Sequence, residues 1–579
     1  MDEQRWLEHL QGVVPRRGFG NRMSMYLIAL EAWRRGLQVK FFHLDNPENK
    51  MFIRYTLSDG VNEYKFDSSQ GDKLTNSAYN ICENKDLTKS VLSEVGIPVP
   101  KGKRFLPHTN IQDALDYASE IKFPVVVKPV SENAGKGVFP NILTIEELEE
   151  VLDHVRMDLG YEDIIIEKHF HGTEYRILIV NGEIVGAVNR IPANIVGDGY
   201  STIDELIEHK NESKVNNPII STKTIDKDKE VLDSISRHGY RLDSIPPRDE
   251  LIYLRNKSNV SRGGDPVDVT DQLTDQMRDL ALRSVQAIEG LDICGLDMLV
   301  NEEDDTCVVL EINTKPMIGL HIYPIQGKAR DVVSPIVDYY FPSTTDYERS
   351  NLYFDFELAL SPIRNYVTNE LYLKKVEQVK KLPAKRFIIK GENLNADFRG
   401  TIRFEALKLK LNGTMREQEE NRKVTIIIAA EDNERLTSFE SFIENQSTAY
   451  GITGIKSSDW EGSINQGFTI STIPESRIII QDLRNEEAKL RDKIERKERQ
   501  LKRKEEELKK NEVKTNRLTS LMSDKDKTII RLDADAQKLR VKIKDLHDEM
   551  SGLYNSRSWK VTQPLRSFVA KKNRNKKEL

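Results

Sequence analysis

"CVVLEINTK", residues 307–315, is the stretch on which the reading of this chain turns. An apolar run ends in Glu311 and Asn313, two oxygen donors one residue apart, and a lysine follows. Strand side chains alternate faces, so Glu311 and Asn313 share one. Just upstream, "CGLDMLV" (294–300) and the polar turn "NEEDDT" (301–306) make this the second strand of a hairpin, with Asp297 opposite Glu311. Three oxygen-bearing side chains on one sheet face suit a hard cation such as Mg2+. Taken alone, the stretch fits solvated polar residues on an exposed strand equally well.

Length and composition narrow the choice. At 579 residues the chain is too long for one ordinary domain. Hydrophobic content of 38% and charged content of 31% fit a chain that is part globular and part charged helix. The net charge of -6 argues against a general nucleic-acid binder, so no nucleic-acid partner is expected. Cys82, Cys294 and Cys307 lack paired metal-ligand spacing and point to a reducing interior. The start "MDEQRWLEHLQGVV" lacks a secretory pattern, and no apolar run reaches bilayer-spanning length. The expected location is the cytoplasm, with a peripheral position at the inner membrane face as a variant.

The expected architecture is multidomain α+β. Residues 1–78 read as a small α/β unit, in which "NRMSMYLIALEAWRRG" is an amphipathic helix before a strand. Residues 79–342 alternate strands and helices and form the main body, with a helix in "NKDLTKSVLSEVG" ended by Gly96. Residues 343–382 read as a linker. Residues 383–458 follow the β-α-β-β-α-β order of small ferredoxin-like domains, with the helix "TIRFEALKLKLNG" ended by Gly413. A second linker, 459–475, precedes a heptad-patterned helix at 476–555, whose seam includes Ile529, Leu532, Ala536, Leu539, Ile543, Leu546 and Met550. That period favours a coiled coil, and a homodimer is the expected order. The tail, 556–579, interleaves apolar and basic residues and suits an anionic membrane surface or an acidic partner; a solvated tail is the alternative.

Chemistry concentrates in the main body. Lys85, and Lys128 at the end of "VVV", are lysines that need an anion, because burying an unpaired ammonium is unfavourable. Asn133, Gly135 and Gly137 in "SENAGKGV" let backbone N–H groups close over phosphate, or else make an ordinary hairpin turn. Glu167 and Lys168 end a strand where a purine edge can be read, and Glu174 is placed to accept from ribose hydroxyls.

Together these segments resemble the ATP-grasp superfamily, most nearly the ligase regions of cyanophycin synthetases and bifunctional glutathione synthetases. The resemblance runs over residues 79–335 through "FPVVVKPVSENAGKGV", "IIIEKHFHGTEYRILIVNG", "LRNKSNVSRGGDPVDVT" and "VVLEINTKPMIGLHIYPIQGKARDV". It implies that Lys85, Lys128, Glu167, Lys168 and Glu174 contact ATP. It also implies that Asp297, Glu311 and Asn313 hold two Mg2+ ions, with Mn2+ as a substitute. The reaction implied is ATP-dependent carboxylate–amine ligation through an acyl phosphate. Arg176, Arg190 and Arg255 occupy positions facing the reaction centre, as carboxylate clamps or structural ion pairs, and Asn259 meets the phosphates. Arg262 replaces a small hydroxyl residue, and "NTKPMIG" replaces the family's Asn-x-x-Pro-Gly, so the acceptor is left open.

From Lys385 to Tyr450 the chain resembles acylphosphatase, with Gly391 and Arg399 at the spacing of its phosphate loop. The loop's "QGVG" is here "LNAD" (394–397), and Glu417 stands where a water-orienting asparagine is expected. This implies a degenerate domain used for binding or docking. "SRSWKVTQPLRS" is similar to the endings of some bacterial cell-surface glycosyltransferases, which hints at a glycan-linked or peptide-precursor amine. Two other readings stand beside the ligase: a non-catalytic ATP-binding scaffold acting through its coiled coil, and an acylphosphatase.

Overall fold

The computed structural model describes residues 6–16, 18–45, 51–107, 109–130, 137–161, 163–255, 260–346, 348–377, 379–419, 422–471 and 525–551. Helix α1 (Met23–Arg34) is buried on every side, where an amphipathic helix was expected. Its run MSMYLIALEAW has no polar face, and a helix apolar all round belongs in a core. The charges it takes inside are paired: Glu31 meets Arg35 (2.7 Å) and Arg349 (2.8 Å), and Arg34 Nε donates to the Leu352 carbonyl (2.6 Å). Against α1 lies an antiparallel sheet of β1 (Gln38–Asp45), β2 (Met51–Ser58), β3 (Glu63–Asp67) and β4 (Gln70–Gly71).

Helices α2 (Asn76–Glu83) and α3 (Lys85–Glu94) lead into the next lobe. The Asn84 side chain accepts from the Asp86 and Leu87 N–H groups and so fixes Lys85 as the first residue of α3. Gly96, at φ +73°, ends the helix as expected. The lobe is a four-stranded sheet of β5 (Gly102–Phe105), β6 (Val125–Pro129), β7 (Phe139–Ile142) and β8 (Ile164–Lys168), in the order β5-β8-β6-β7. It shares an apolar core with α4 (Ile111–Ile121) and α5 (Ile145–Asp153).

The next hairpin, β9 (Thr173–Val180) and β10 (Glu183–Ile191), turns at Asn181 and Gly182, both at positive φ as a tight two-residue turn requires. A satellite with its own core follows: β11 (Asn194–Val196), α6 (Ile203–Lys214), α7 (Lys229–Arg237) and β12 (Leu251–Tyr253). Then β13 (Asp265–Asp268), α8 (Asp275–Gln286), β14 (Ile293–Asn301) and β15 (Thr306–Asn313) complete an antiparallel sheet in the order β13-β10-β9-β14-β15. One face of that sheet, through Tyr175, Ile177 and Ile179, packs on Met277, Leu280 and Ala281 of α8. The opposite face carries the candidate site.

After α9 (Gly319–Ile322) and α10 (Val333–Tyr340), residues 343–382 depart from the expected linker. They form β16 (Leu352–Tyr353), α11 (Phe356–Arg364) and β17 (Glu370–Tyr372), and β17 pairs with β1, setting Tyr372 opposite Lys40. Phe354, Phe356, Leu360 and Ile363 pack into the core around α1, and that apolar set is what the polar "FPSTTDYERS" concealed.

The second unit has the expected β-α-β-β-α-β order: β18 (Ala384–Gly391), α12 (Ala396–Lys408), β19 (Asn412–Glu419), β20 (Lys423–Ala429), α13 (Asn433–Asn445) and β21 (Ile452–Asp459). Helix α12 stops at Lys408, with Lys410 at φ +55°, and not at Gly413. Gly413 lies inside β19, where a Cβ would sit 2.0 Å from the Ile427 carbonyl oxygen. The stretch read as a second linker holds β22 (Ile464–Asn465), paired with β16, and β23 (Phe468–Ser471), which extends the sheet to β21-β18-β20-β19-β23.

Residues 525–551 are helical. Ile529, Leu532, Leu539, Ile543, Leu546 and Met550 are 51–65% exposed along it. The heptads of 476–524 and the basic tail lie outside the described residues. No helix among the described residues is long and apolar enough to cross a membrane.

Candidate functional site

The β14–β15 register sets Asp297 opposite Glu311 and Gly295 opposite Asn313. Asn313 Nδ2 donates to Glu311 Oε1 at 3.2 Å, so these two side chains do share a face. On its other side Asp297 stands opposite Arg176 of β9. Arg176 grips both Asp297 oxygens, through Nε and through Nη2 (2.7 Å), while Arg190 Nη2 reaches Asp297 at 2.8 Å and also pairs with Glu174. Burial alone would raise the Asp297 pKa. The two guanidiniums outweigh it and hold the carboxyl at about 2, so Asp297 is anionic at any working pH.

The donor chemistry fits a hard divalent cation: two carboxylates and an amide oxygen on one face, with no sulfur or imidazole among them. Among the described residues no three His, Cys, Asp or Glu side chains gather as a metal cluster, so the amide of Asn313 is needed to complete this set.

A second group of charges comes from the neighbouring lobe. Lys128 of β6 reaches Glu167 of β8 at 2.8 Å, and Lys89 of α3 pairs with the other oxygen of the same carboxylate. Glu167 is 3% exposed. Its side chain fits because residue 102, opposite it on β5, is glycine: a Cβ there would come within 2.5 Å of Glu167 Cγ. Burial, then the charges of Lys89 and Lys85, push the Lys128 pKa well down. The Glu311 carboxylate pulls it back up.

Several expected site residues stand elsewhere. Lys168 turns away from this group and donates to the Lys122 and Phe123 carbonyls at 3.0 and 2.9 Å. Arg255 lies apart from Asp297: it pairs with Asp228 (2.7 Å) and Glu230 (2.6 Å), and Arg262 joins Glu230 at 3.1 Å. Gly137, at φ +68°, has Pro129 and Tyr161 against its Cα, the close approach for which glycine suits. Asn133, Gly135 and Asn259 lie outside the described residues.

Two residues at the site were given no role by the sequence reading. Lys89 is one helical turn beyond Lys85, a spacing that itself places both on one face. His321, 1% exposed, packs beside Gly186, and neither ring nitrogen has a hydrogen-bond partner among the described residues. Burial, then the Arg176 charge, hold its pKa at about 3, which keeps the ring neutral.

With this geometry in place, the comparisons can be set beside it. Residues 82–199 and 255–323 match the RimK-like ATP-grasp domain. It is 33% identical over 297 residues to the cyanophycin synthetase of Synechocystis sp., covering 50% of this chain and 34% of that protein. It is 34% identical over 330 residues to the glutathione biosynthesis bifunctional protein GshAB of Listeria innocua, covering 55% of this chain and 41% of that one. Among solved structures, a bifunctional glutathione synthetase from Pasteurella multocida is similar at 28% identity and a TM-score of 0.40, over 52% of this chain and 42% of that chain. The chain thus spans less than half the length of the relatives it matches.

Proposed function

We propose that this protein is an ATP- and Mg2+-dependent carboxylate–amine ligase. The observation that carries the reading is the pair of charged groups: Asp297 opposite Glu311, with Asn313 bonded to Glu311, on one sheet, and Lys89 and Lys128 gathered on Glu167 in the neighbouring lobe. Lys85, Lys128, Asn133, Gly135 and Gly137 would hold the phosphates, Glu167 and Glu174 the nucleoside. Asp297, Glu311 and Asn313 would hold Mg2+, which when bound neutralises charge on the terminal phosphates.

A substrate carboxylate oxygen attacks the γ-phosphorus, the bond to the β-phosphate oxygen breaks, and ADP leaves with its electron pair. The amine nitrogen then attacks the acyl phosphate carbonyl, inorganic phosphate departs, and a proton is lost to give the amide. No protein nucleophile enters. Arg176 and Arg190 fix Asp297 and leave Arg190 placed to meet a substrate carboxylate beside Glu174. An amino acid and a cell-surface glycan or peptide precursor are the substrate classes this reading favours.

The second unit serves docking rather than hydrolysis on this reading. Arg399 reaches Glu417 at 3.4 Å, and the Glu417 side chain is 1% exposed, so the cation an acyl phosphate would need is already paired. The helix at 525–551 is assigned to homodimerisation through its apolar seam, and the basic tail to a membrane surface or acidic partner. The test is release of ADP and phosphate from Mg-ATP with a panel of amino acids and glycan precursors. Lys128→Ala and Glu311→Ala should each abolish it; undiminished turnover in both overturns the site.

A further inference from the structure

Lys89 and Lys128 approach the two oxygens of one carboxylate, Glu167, which is 3% exposed. Two lysine side chains thus share one carboxylate. Lys85 lies one turn earlier on α3. Asp86, the acidic residue next to it, faces Arg104 at 3.6 Å. Lys128 is the member of the group that the reading above assigns to the phosphates. If Lys128 turned to a phosphate, Glu167 would lose one of its two partners in a buried setting, where an unpaired carboxylate is strongly disfavoured.

We infer that Lys89 is a positioning residue that keeps Glu167 neutralised while Lys128 is handed from Glu167 to the triphosphate. This rests on the nucleotide-binding reading above. Lys89 does not itself need to touch the nucleotide. Its effect is to remove the penalty of releasing Lys128 and to keep the Glu167 side chain in the single conformation that Gly102 leaves open. Charges facing Lys89 come from Glu167 and Lys128 across the sheet and from Lys85 and Asp86 on its own helix.

The pairing predicts a thermodynamic cycle that a merely structural lysine would not obey. Mg-ATP affinity is measured by calorimetric titration of the full chain, without acceptor substrates. Lys89→Met should weaken binding at least about tenfold, because Glu167 then retains Lys128. Lys89→Arg, which keeps the charge, should stay within about threefold of the parent. The double variant Lys89→Met/Glu167→Gln should bind as Glu167→Gln alone does, since there is no longer a carboxylate to neutralise. If Lys89→Met proves unfolded, Lys89→Gln carries the same comparison.

Unchanged affinity in Lys89→Met, or a double variant that binds more weakly than Glu167→Gln alone, overturns the inference while leaving the nucleotide site standing. A parent chain that does not bind Mg-ATP, or a Lys128→Ala variant that binds it equally well, overturns the nucleotide reading and this inference with it.

Discussion

Two cationic sites in this chain have opposite fates. In the second unit Arg399 pairs with the carboxylate of Glu417, whose side chain is buried, and these two charges offset each other. In the region that matches the RimK-like ATP-grasp domain, Lys89 and Lys128 both pair with one carboxylate, Glu167. Both arrangements are largely buried, so the difference lies in charge and not in exposure. A buried site that closes its own charge balance has no need of a ligand, whereas one left with excess cation is poised for an anion.

The largest effect expected from this contrast is catalytic. Glu311→Ala should lower Mg-dependent ADP formation by about 10³-fold or more, the scale seen when a group stabilising transition-state charge is removed. Arg399→Ala should leave the same rate within about twofold. Equal losses in both variants would erase the distinction between the two sites.

Next comes the stability of the Asp297 cluster. The folded pKa of about 2 lies below the ordinary 3.8, so the carboxylate form favours folding. That contribution is fully present above pH 4 and is lost as pH falls toward 2. Asp297→Asn strands two guanidiniums and should destabilise the protein by about 3–5 kcal/mol at pH 7, as breaking a buried pair does. Denaturant unfolding at pH 7 and pH 3 should show the penalty shrinking at the lower pH. A penalty equal at both would mean that the ion pairs do not carry it.

Much of this was readable from residues alone, for identifiable reasons. The Asp297–Glu311 register followed from strand alternation and a six-residue polar turn, both of which are local. The β-α-β-β-α-β order of the second unit was legible for the same reason. Pairing between distant segments was not: β17 joins β1 across more than 300 residues, and nothing in "ELY" announces it. The same limit hid the role of Lys89, whose partner Glu167 lies on a strand far along the chain, although its spacing from Lys85 was visible. Arg255 shows the same limit in another form. A clamp and an ion pair were both open to it, and Asp228 and Glu230, contributed from the start of α7, pair with it here. Whether an arginine clamps a substrate or a neighbour depends on the nearest carboxylate, which sequence order does not give.

The smallest predicted effect sharpens the comparison from the side of shape. Gly102 lies opposite Glu167 and is exposed to solvent, so nothing about its burial calls for glycine. A methyl group there would meet Glu167 Cγ at 2.5 Å and the Ile166 carbonyl at 3.0 Å. Gly102→Ala should therefore displace the shared carboxylate and misplace Lys89 and Lys128 together, with every charge still present. Mg-ATP should bind about five- to tenfold more weakly, a shift of roughly 1 kcal/mol, as expected for a small geometric error at a polar contact. Gly400, on α12 of the second unit, has open space around its Cα, so Gly400→Ala should leave nucleotide affinity unchanged and provides the control. If Gly102→Ala bound as tightly as the parent, the position of Glu167 would not matter and the lysine pair would act through charge alone.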